Sequence, residues 1–230
     1  MIFNFPSVGP KTLPVHENII AIGGGQSVMK SKDTISLYIK EKNPSILSSN
    51  RMVNSLGINS QYIIFLDYRF FKKNDPNIEN TSLVIGPKIF NIKDKKIKKI
   101  YRSYLKRGNK IFKIEYDRRR KKHVNKIEMS RNGYISHFLG NAGFASIILS
   151  SMMSPKEVFL SGFDGANELG MLKKHYDKSV WKEKPEKIIL QKNMMTIIIK
   201  HLKEKGIRIK TSKYDKLWGA NLEEFDIKIH

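Results

Sequence analysis

Two short runs hold residue types suited to ligand chemistry. Asn18-Ile19-Ile20-Ala21-Ile22 stops at Gly23-Gly24-Gly25-Gln26-Ser27, and Glu157-Val158-Phe159-Leu160-Ser161 stops at Gly162-Phe163-Asp164-Gly165. An apolar run that halts at glycine and continues in polar residues has the pattern of a buried parallel strand whose carboxyl end opens into a crevice. Glycine lets the backbone come close to a ligand, and a helix starting at Ser27 would turn its N-terminus toward an anion. The first run is not a Walker motif, because no Gly-Lys-Ser/Thr follows. It is not a full Gly-x-Gly-x-x-Gly either, because the third glycine is missing. If both strands share a sheet, their ends face one pocket, which suits an enzyme acting on a nucleotide-linked small molecule.

Other residues fall at matching places. Asn50 and Asp67 follow the second and third apolar runs, where an amide can read a base or sugar edge and a carboxylate can accept from hydroxyls. Both are also ordinary turn formers. Gly140-Asn141-Ala142-Gly143 opens an apolar helix with small side chains and N–H groups expected to be free for an anion or a base. Asp164 directly follows its strand, and His175-Tyr176-Asp177 lies beyond a glycine-containing stretch. Histidine has the ordinary pKa for general base work near neutrality, although a lone loop histidine is more often incidental. His16, His123, His137, His201 and His230 show no His-Glu-x-x-His spacing, so no zinc site is read.

The elements that would position these residues alternate. Strands are predicted at Asn18–Ile22, Pro44–Ser48, Tyr62–Leu66, Ser82–Ile85, Lys110–Tyr116, Val158–Ser161 and, last, Ile207–Thr211. Helices are predicted at Ser27–Glu41, Ile97–Lys106, Asn141–Ser154 and Pro185–Lys205, and Val53–Ile58 is read as a turn or short helix. The stretches Asn74–Asn80 and Arg118–Asn132 read as loop or lid. This alternation predicts an α/β fold: a Rossmann-like, doubly wound, mostly parallel sheet with helices on both faces and a small lid. The expected organisation is a single domain over residues 1–230 with the lid within 165–184.

Composition sets the outer limits. The chain has 230 residues, 40% of them hydrophobic, no cysteine and a formal net charge of +22. Disulfides and thiolate metal sites are therefore excluded, and a cytoplasmic location is expected. No apolar stretch reaches about 18 residues, the length of a membrane span. The charge is uneven: Lys88 to Lys126 holds seventeen Lys or Arg against three acids. Such a block attracts a polyanion, whether nucleic acid, anionic lipid headgroups or phosphorylated glycolipid, while a general lysine bias would only solvate the surface. The interleaved aromatics Tyr101, Tyr104, Phe112 and Tyr116 are spaced like a core face, and no nucleic-acid-binding signature accompanies them.

Taken in order, Ile22–Ser27, Ser49-Asn50-Arg51, Phe65–Phe71, Asn141-Ala142-Gly143, Lys156–Asp164 and His175-Tyr176 resemble bacterial family 42 sialyltransferases and the related domain of motility accessory factors and archaeal pterin diphosphokinases. The resemblance spans about residues 18–210, and the helix leading into Lys156–Asp164 is its most specific part. It implies a metal-independent, inverting glycosyltransferase that needs no cofactor. Sialic acid or a related nonulosonate would pass from a CMP-sugar to a cell-surface glycan or lipooligosaccharide. By position, it implies that Gly23, Gly24, Gly25, Gln26 and Ser27 approach the donor phosphate and ribose, and that Asn50 contacts the cytidine nucleotide or its sugar. Asn141, Ala142 and Gly143 would hold the nucleotide or donor carboxylate, Gly162 and Asp164 would shape the pocket floor, and His175 would be the general base.

The chain departs from the family pattern at Gly24, Gln26 and Asp67, and it lacks the tyrosines that follow the Gly-x-Asp segment; Tyr176, Lys173 or Lys174 would have to substitute. The expected partners are a CMP-sugar donor, a glycan or glycolipid acceptor and an anionic membrane surface reached through residues 88–126 from the cytoplasmic side. A homo-oligomer is also open. The rival readings are a basic nucleic-acid- or membrane-binding protein and a pterin diphosphokinase-like enzyme using ATP and magnesium.

Overall fold

The computed structural model describes residues 5–50, 56–67, 81–90, 94–116, 127–128, 134–135, 141–165, 185–221, 223 and 225–230. The proposed lid beyond Gly165, His175 and Tyr176, residues 51–55, and nearly all of Asn74–Asn80 and Arg118–Asn132 lie outside them.

The strands are β1 (Asn18–Ile22), β2 (Ser45–Ser49), β3 (Tyr62–Phe65), β4 (Ser82–Ile85), β5 (Ile111–Lys113), β6 (Glu115–Tyr116), β7 (Tyr134–Ile135), β8 (Glu157–Ser161), β9 (Arg208–Thr211) and β10 (Lys228–Ile229). Between them run α1 (Ser27–Lys30), α2 (Lys32–Lys42), α3 (Pro87–Phe90), α4 (Lys95–Lys106), α5 (Ala142–Met152) and α6 (Pro185–Glu204). Eight strands form one sheet in the order β10-β9-β8-β1-β2-β3-β4-β5, and every pairing is parallel. β6 and β7 form a separate parallel pair. The chain winds outward from β1 to β5 and then returns to lay β8 on the other side of β1. The topological switch point therefore lies between β1 and β8, and the Rossmann-like expectation holds.

Side-chain alternation divides the sheet between two cores. Ile19, Ala21, Leu47, Ile64, Val158 and Leu160 meet α5 and α6 on one face. Ile20, Ile22, Ile63, Phe65, Leu83, Ile85 and Phe159 meet α1, α2 and α4 on the other. Both faces are covered, which is why the strands read as unbroken apolar runs rather than alternating ones. At the outer edge, Pro6 O accepts from Lys113 N at 2.9 Å and Val8 N donates to Lys113 O at 2.8 Å, so the N-terminal segment shields β5.

Besides shifts of one or two residues at element ends and the unpredicted α3 and β7, three differences from the sequence expectation stand out. The helix predicted over Ser27–Glu41 divides at Ser31, whose hydroxyl donates to Ser27 O at 2.7 Å and also meets the Ser212 hydroxyl beyond β9. The strand predicted over Lys110–Tyr116 splits at Ile114, where the chain leaves the main sheet for the small one. Ile207–Thr211 does not supply the last strand, because Lys228–Ile229 pairs in parallel with it.

At the amino end of β8, Glu157 is buried and ties α2 to the sheet. Tyr38 Oη donates to Glu157 Oε1 at 2.7 Å, while Lys210 Nζ lies 3.4 Å and Arg208 Nε 3.6 Å from the carboxylate. Burial, reinforced by Glu157, holds the Tyr38 hydroxyl above its ordinary pKa and therefore protonated as a donor. Glu157→Ala strands that hydroxyl and is expected to cost about 2–3 kcal/mol in urea unfolding. Tyr38→Phe leaves Glu157 its two cations and is expected to cost about 1 kcal/mol.

Candidate functional site

The site is built where the two glycine-terminated runs end. Ile22 is in register with Ser48 on β2 and with Ser161 on β8, and Ser49 with Ile64 on β3. Gly23, Asn50, Asp67 and Gly162 therefore leave from one edge of the sheet, the edge where open α/β folds bind ligands. Asn50 has a left-handed backbone (φ 54°) and donates its N–H to Ile64 O at 2.9 Å. Gly24, Gly25, Gln26, Asn50, Asp67, Asn141, Ala142 and Asp164 are partly exposed there, whereas Gly23, Ser27, Gly143 and Gly162 are buried.

The two turns interlock. Gly23 N donates to Ser161 O at 2.7 Å and Gly25 N to Gly162 O at 2.8 Å, so the β1–β8 ladder continues past the strands. A Cβ on Gly162, whose φ is +85°, would lie 2.6 Å from Gly23 O, and one on Gly23 would collide with Gly162 O. A Cβ on Gly25 would lie 2.7 Å from Asp164 Cγ. These glycines are glycines because two backbones and a carboxylate occupy the space beside them. Close approach to a ligand was the sequence reason, and for Gly23 and Gly162 the partner is the chain itself. Gly143 is similar, since its Cβ would lie 3.1 Å from Phe163 Cε1.

The N–H groups expected to face an anion have internal partners. Ser27 N, at the start of α1, donates to Asp164 Oδ2 at 2.9 Å. At α5, Asn141 Oδ1 accepts from Gly143 N at 2.8 Å and Phe144 N at 3.3 Å, an N-cap that replaces the predicted free donors. What Asp164 leaves unused is an acceptor: its Oδ1 is buried without a hydrogen-bond partner among the described residues, as is Ser161 Oγ. A ligand hydroxyl or a water at that point would satisfy the carboxylate.

Sequence reasoning missed Asp215, which joins three segments at this edge. Its Oδ2 accepts from Phe163 N at 2.8 Å and from Ser27 Oγ at 3.1 Å, and its Oδ1 from Leu217 N at 2.9 Å. The 3₁₀ turn Leu217–Gly219 follows, with Leu217 and Trp218 both left-handed (φ 41° and 56°). Trp218 N donates to Phe163 O at 2.8 Å, and the Trp218 ring packs on Phe144 at 6.1 Å and beside Gly165. The signal was present: an acid shortly past the carboxyl end of β9, the same placement that singled out Asp67 and Asp164.

Burial pushes the Asp215 carboxyl up to about 6, and the Asp164 carboxylate adds to the shift; the bonds from Phe163, Leu217 and Ser27 oppose it. When protonated, Asp215 can donate to Ser27 Oγ and still accept both backbone N–H groups. Asp215 thus has little to offer a cation, since the N–H and O–H donors already occupy its oxygens. Among the described residues no group of three or more His, Asp or Glu is placed to hold a metal ion.

No protein-family model and no curated protein matches the chain. Among solved structures it is similar to a MAf glycosyltransferase from Magnetospirillum magneticum AMB-1, with a TM-score of 0.59 and 12% sequence identity. The match covers 90% of this chain but 33% of that one, so this chain spans a third of its neighbour's length. At that identity the likeness establishes the fold. The narrower resemblance to family 42 sialyltransferases gains no support from it. Among the described residues no helix is long and apolar enough to cross a membrane.

The pH dependence of Asp215 has a definite sign. With a folded pKa raised to about 6 against about 3.9 unfolded, its proton stabilises the fold fully below about pH 4, and that contribution is lost as pH rises through 6. Relative to Asp215→Asn, which cannot titrate, the wild-type chain is expected to lose about 2–3 kcal/mol of urea-unfolding stability between pH 4 and 7. A difference between the two proteins that stays constant over this range would show that Asp215 does not titrate there.

Proposed function

We propose that the chain is a glycosyltransferase that binds a nucleotide sugar in the crevice above β1, β2 and β8, and that the donor is a CMP-linked sialic acid or related nonulosonate. The observation that carries the reading is the meeting of the Gly23–Ser27 and Gly162–Asp164 turns at the topological switch point. A fold shared with a glycosyltransferase supports it. The donor identity rests on the motif resemblance in the sequence.

In this reading Gly24, Gly25 and Gln26 present backbone and amide groups to the donor. Asn50 and Asp67 face the nucleoside, and Asp164 Oδ1 accepts from a ribose or sugar hydroxyl. Asn141 and Ala142 border the same edge, while Gly23, Ser27, Gly143 and Gly162 shape it from within. His175, from a segment outside the described residues, removes the proton of the acceptor hydroxyl. The acceptor oxygen bonds to the anomeric carbon as the bond to the phosphate oxygen breaks. The electron pair leaves with CMP, and the anomeric centre inverts. Cationic or phenolic donors, for which Tyr176, Lys173 and Lys174 are the candidates, stabilise the leaving phosphate. The acceptor is a surface glycan or lipooligosaccharide, and one catalytic domain covers residues 1–230, with a lid within 165–184.

The kinase alternative gains nothing from Asp215, because that carboxylate is already engaged by its three donors. Of CMP, UDP, GDP and ATP with magnesium, CMP is expected to raise the melting temperature most. At a hundred times its Kd it adds about 2.7 kcal/mol, or about 5–10 °C for a chain of this size. His175→Ala is expected to keep that shift and lose sugar transfer, and transfer is expected to survive a chelator. A largest shift with ATP and magnesium, or full turnover by the His175 variant, would refute the corresponding part.

A further inference from the structure

The solvent face of α4 is charged in a way the helix itself does not favour. Lys95, Lys96, Lys99, Arg102 and Lys106 are exposed, while Ile97, Ile100, Tyr101 and Tyr104 enter the core. Neighbours at three- and four-residue spacing repeat the same charge: Lys96 with Lys99 and Lys99 with Arg102 at three, Lys95 with Lys99, Lys98 with Arg102 and Arg102 with Lys106 at four. Such pairs destabilise a helix, and Lys95 and Lys96 also stand at its positive end. Among the described residues the local compensation is Asp94, which caps the helix by accepting from Lys96 N at 2.7 Å and Ile97 N at 3.4 Å. Among the described residues the ion pairs lie elsewhere, at Lys113, Lys156, Lys203, Arg208 and Lys210.

A general lysine bias does not produce this pattern. Helix α2 contains Asp33 and Glu41, and α6 contains Glu186 and Glu204, whereas α4 has no acid from Lys95 to Lys106. Among the described residues no carboxylate pairs with these cations, which leaves their counter-charge open to an external partner. On the same side of the sheet α1 and α2 expose Lys30, Lys32 and Lys40, with Met29 and Leu37 exposed among them. On α4 itself Leu105 is 41% exposed.

We propose that this side, with α4 as its centre, docks on an anionic lipid bilayer. Spread cations with isolated apolar side chains fit a headgroup layer, where lysines meet phosphates and single apolar tips enter the interface. A single-stranded nucleic acid would need a groove with outward aromatics for its bases, but Tyr101 and Tyr104 are buried. The inference is independent of the donor sugar, and its test involves no transfer reaction.

The test is co-sedimentation of the full chain with phosphatidylcholine vesicles, with and without phosphatidylglycerol. Binding is expected only with phosphatidylglycerol and is expected to weaken as salt rises. Combined substitution of Lys95, Lys96, Lys99, Arg102 and Lys106 by Gln should reduce it at least about tenfold. Combined Lys187, Lys192, Lys200, Lys213 and Lys228 to Gln, the same loss of charge elsewhere, should retain most of it. Relief of repulsion should also leave the α4 variant with an equal or higher melting temperature, so a lower one would overturn the charge argument. Equal loss in both variants would overturn the docking face. Tighter binding to a single-stranded oligonucleotide than to vesicles, lost in the α4 variant, would overturn the lipid and assign the face to nucleic acid.

Discussion

The close backbone approach of Gly23 and Gly162 is the constraint on which the rest of this architecture depends. Parallel strands β1 and β8 meet at the sheet's switch point, and their ladder runs on through Gly23 N to Ser161 O and Gly25 N to Gly162 O. No side chain fits between the two turns. That contact brings Asp164 against Gly25 and under Ser27 N, and sets Phe163 where Asp215 and Trp218 can bind its backbone. A Cβ at either glycine would separate the turns and remove the geometry of everything placed upon them.

The packing inside the turns directs what remains for a ligand. The positive ends of α1 and α5 have been given to Asp164 and Asn141, so the edge is less an anion cradle of free N–H groups than a rim of acceptors and amides. Gln26, Asn50, Asp67 and Asp164 suit hydroxyls and a base better than a bare phosphate. In the proposed reaction, charge stabilisation for the leaving phosphate would fall to other side chains, for which Lys173 and Lys174 are the sequence candidates.

Much of this was legible in the sequence, for a physical reason. Strands buried on both faces appear as continuous apolar runs, and Gly23 and Gly162 cut two of them off sharply, so β1 to β5, β8, β9 and the doubly wound class could be read, whereas the two-residue strands β7 and β10 carry no such run. Side-chain partners across long separations could not. Nothing local to Ser27 shows that Asp164 will take its N–H, or that the Ser31 hydroxyl will meet Ser212 where α1 and α2 divide. Asn141 was read as the opening of a ligand seat, yet an asparagine just before a helix is equally a cap, and the cap prevailed. Asp215 lies past the strand predicted to be last, and its partners Ser27 and Phe163 are distant in the sequence.

The charge on α4 and the chemistry at the sheet edge lie on different surfaces, and their relation follows from the winding. In a parallel α/β sheet each connecting helix runs back against its strands, so α4 begins near the carboxyl edge, after β4 and α3, and ends toward the start of β5. Its most cationic turn, Lys95 to Lys99, is thus the part nearest the edge from which Asn50 and Asp67 project. Helix α4 connects β4 to β5, toward the end of the sheet away from the β1–β8 switch point. The two proposals, ligand binding at the sheet edge and docking along α4, therefore do not compete for one surface.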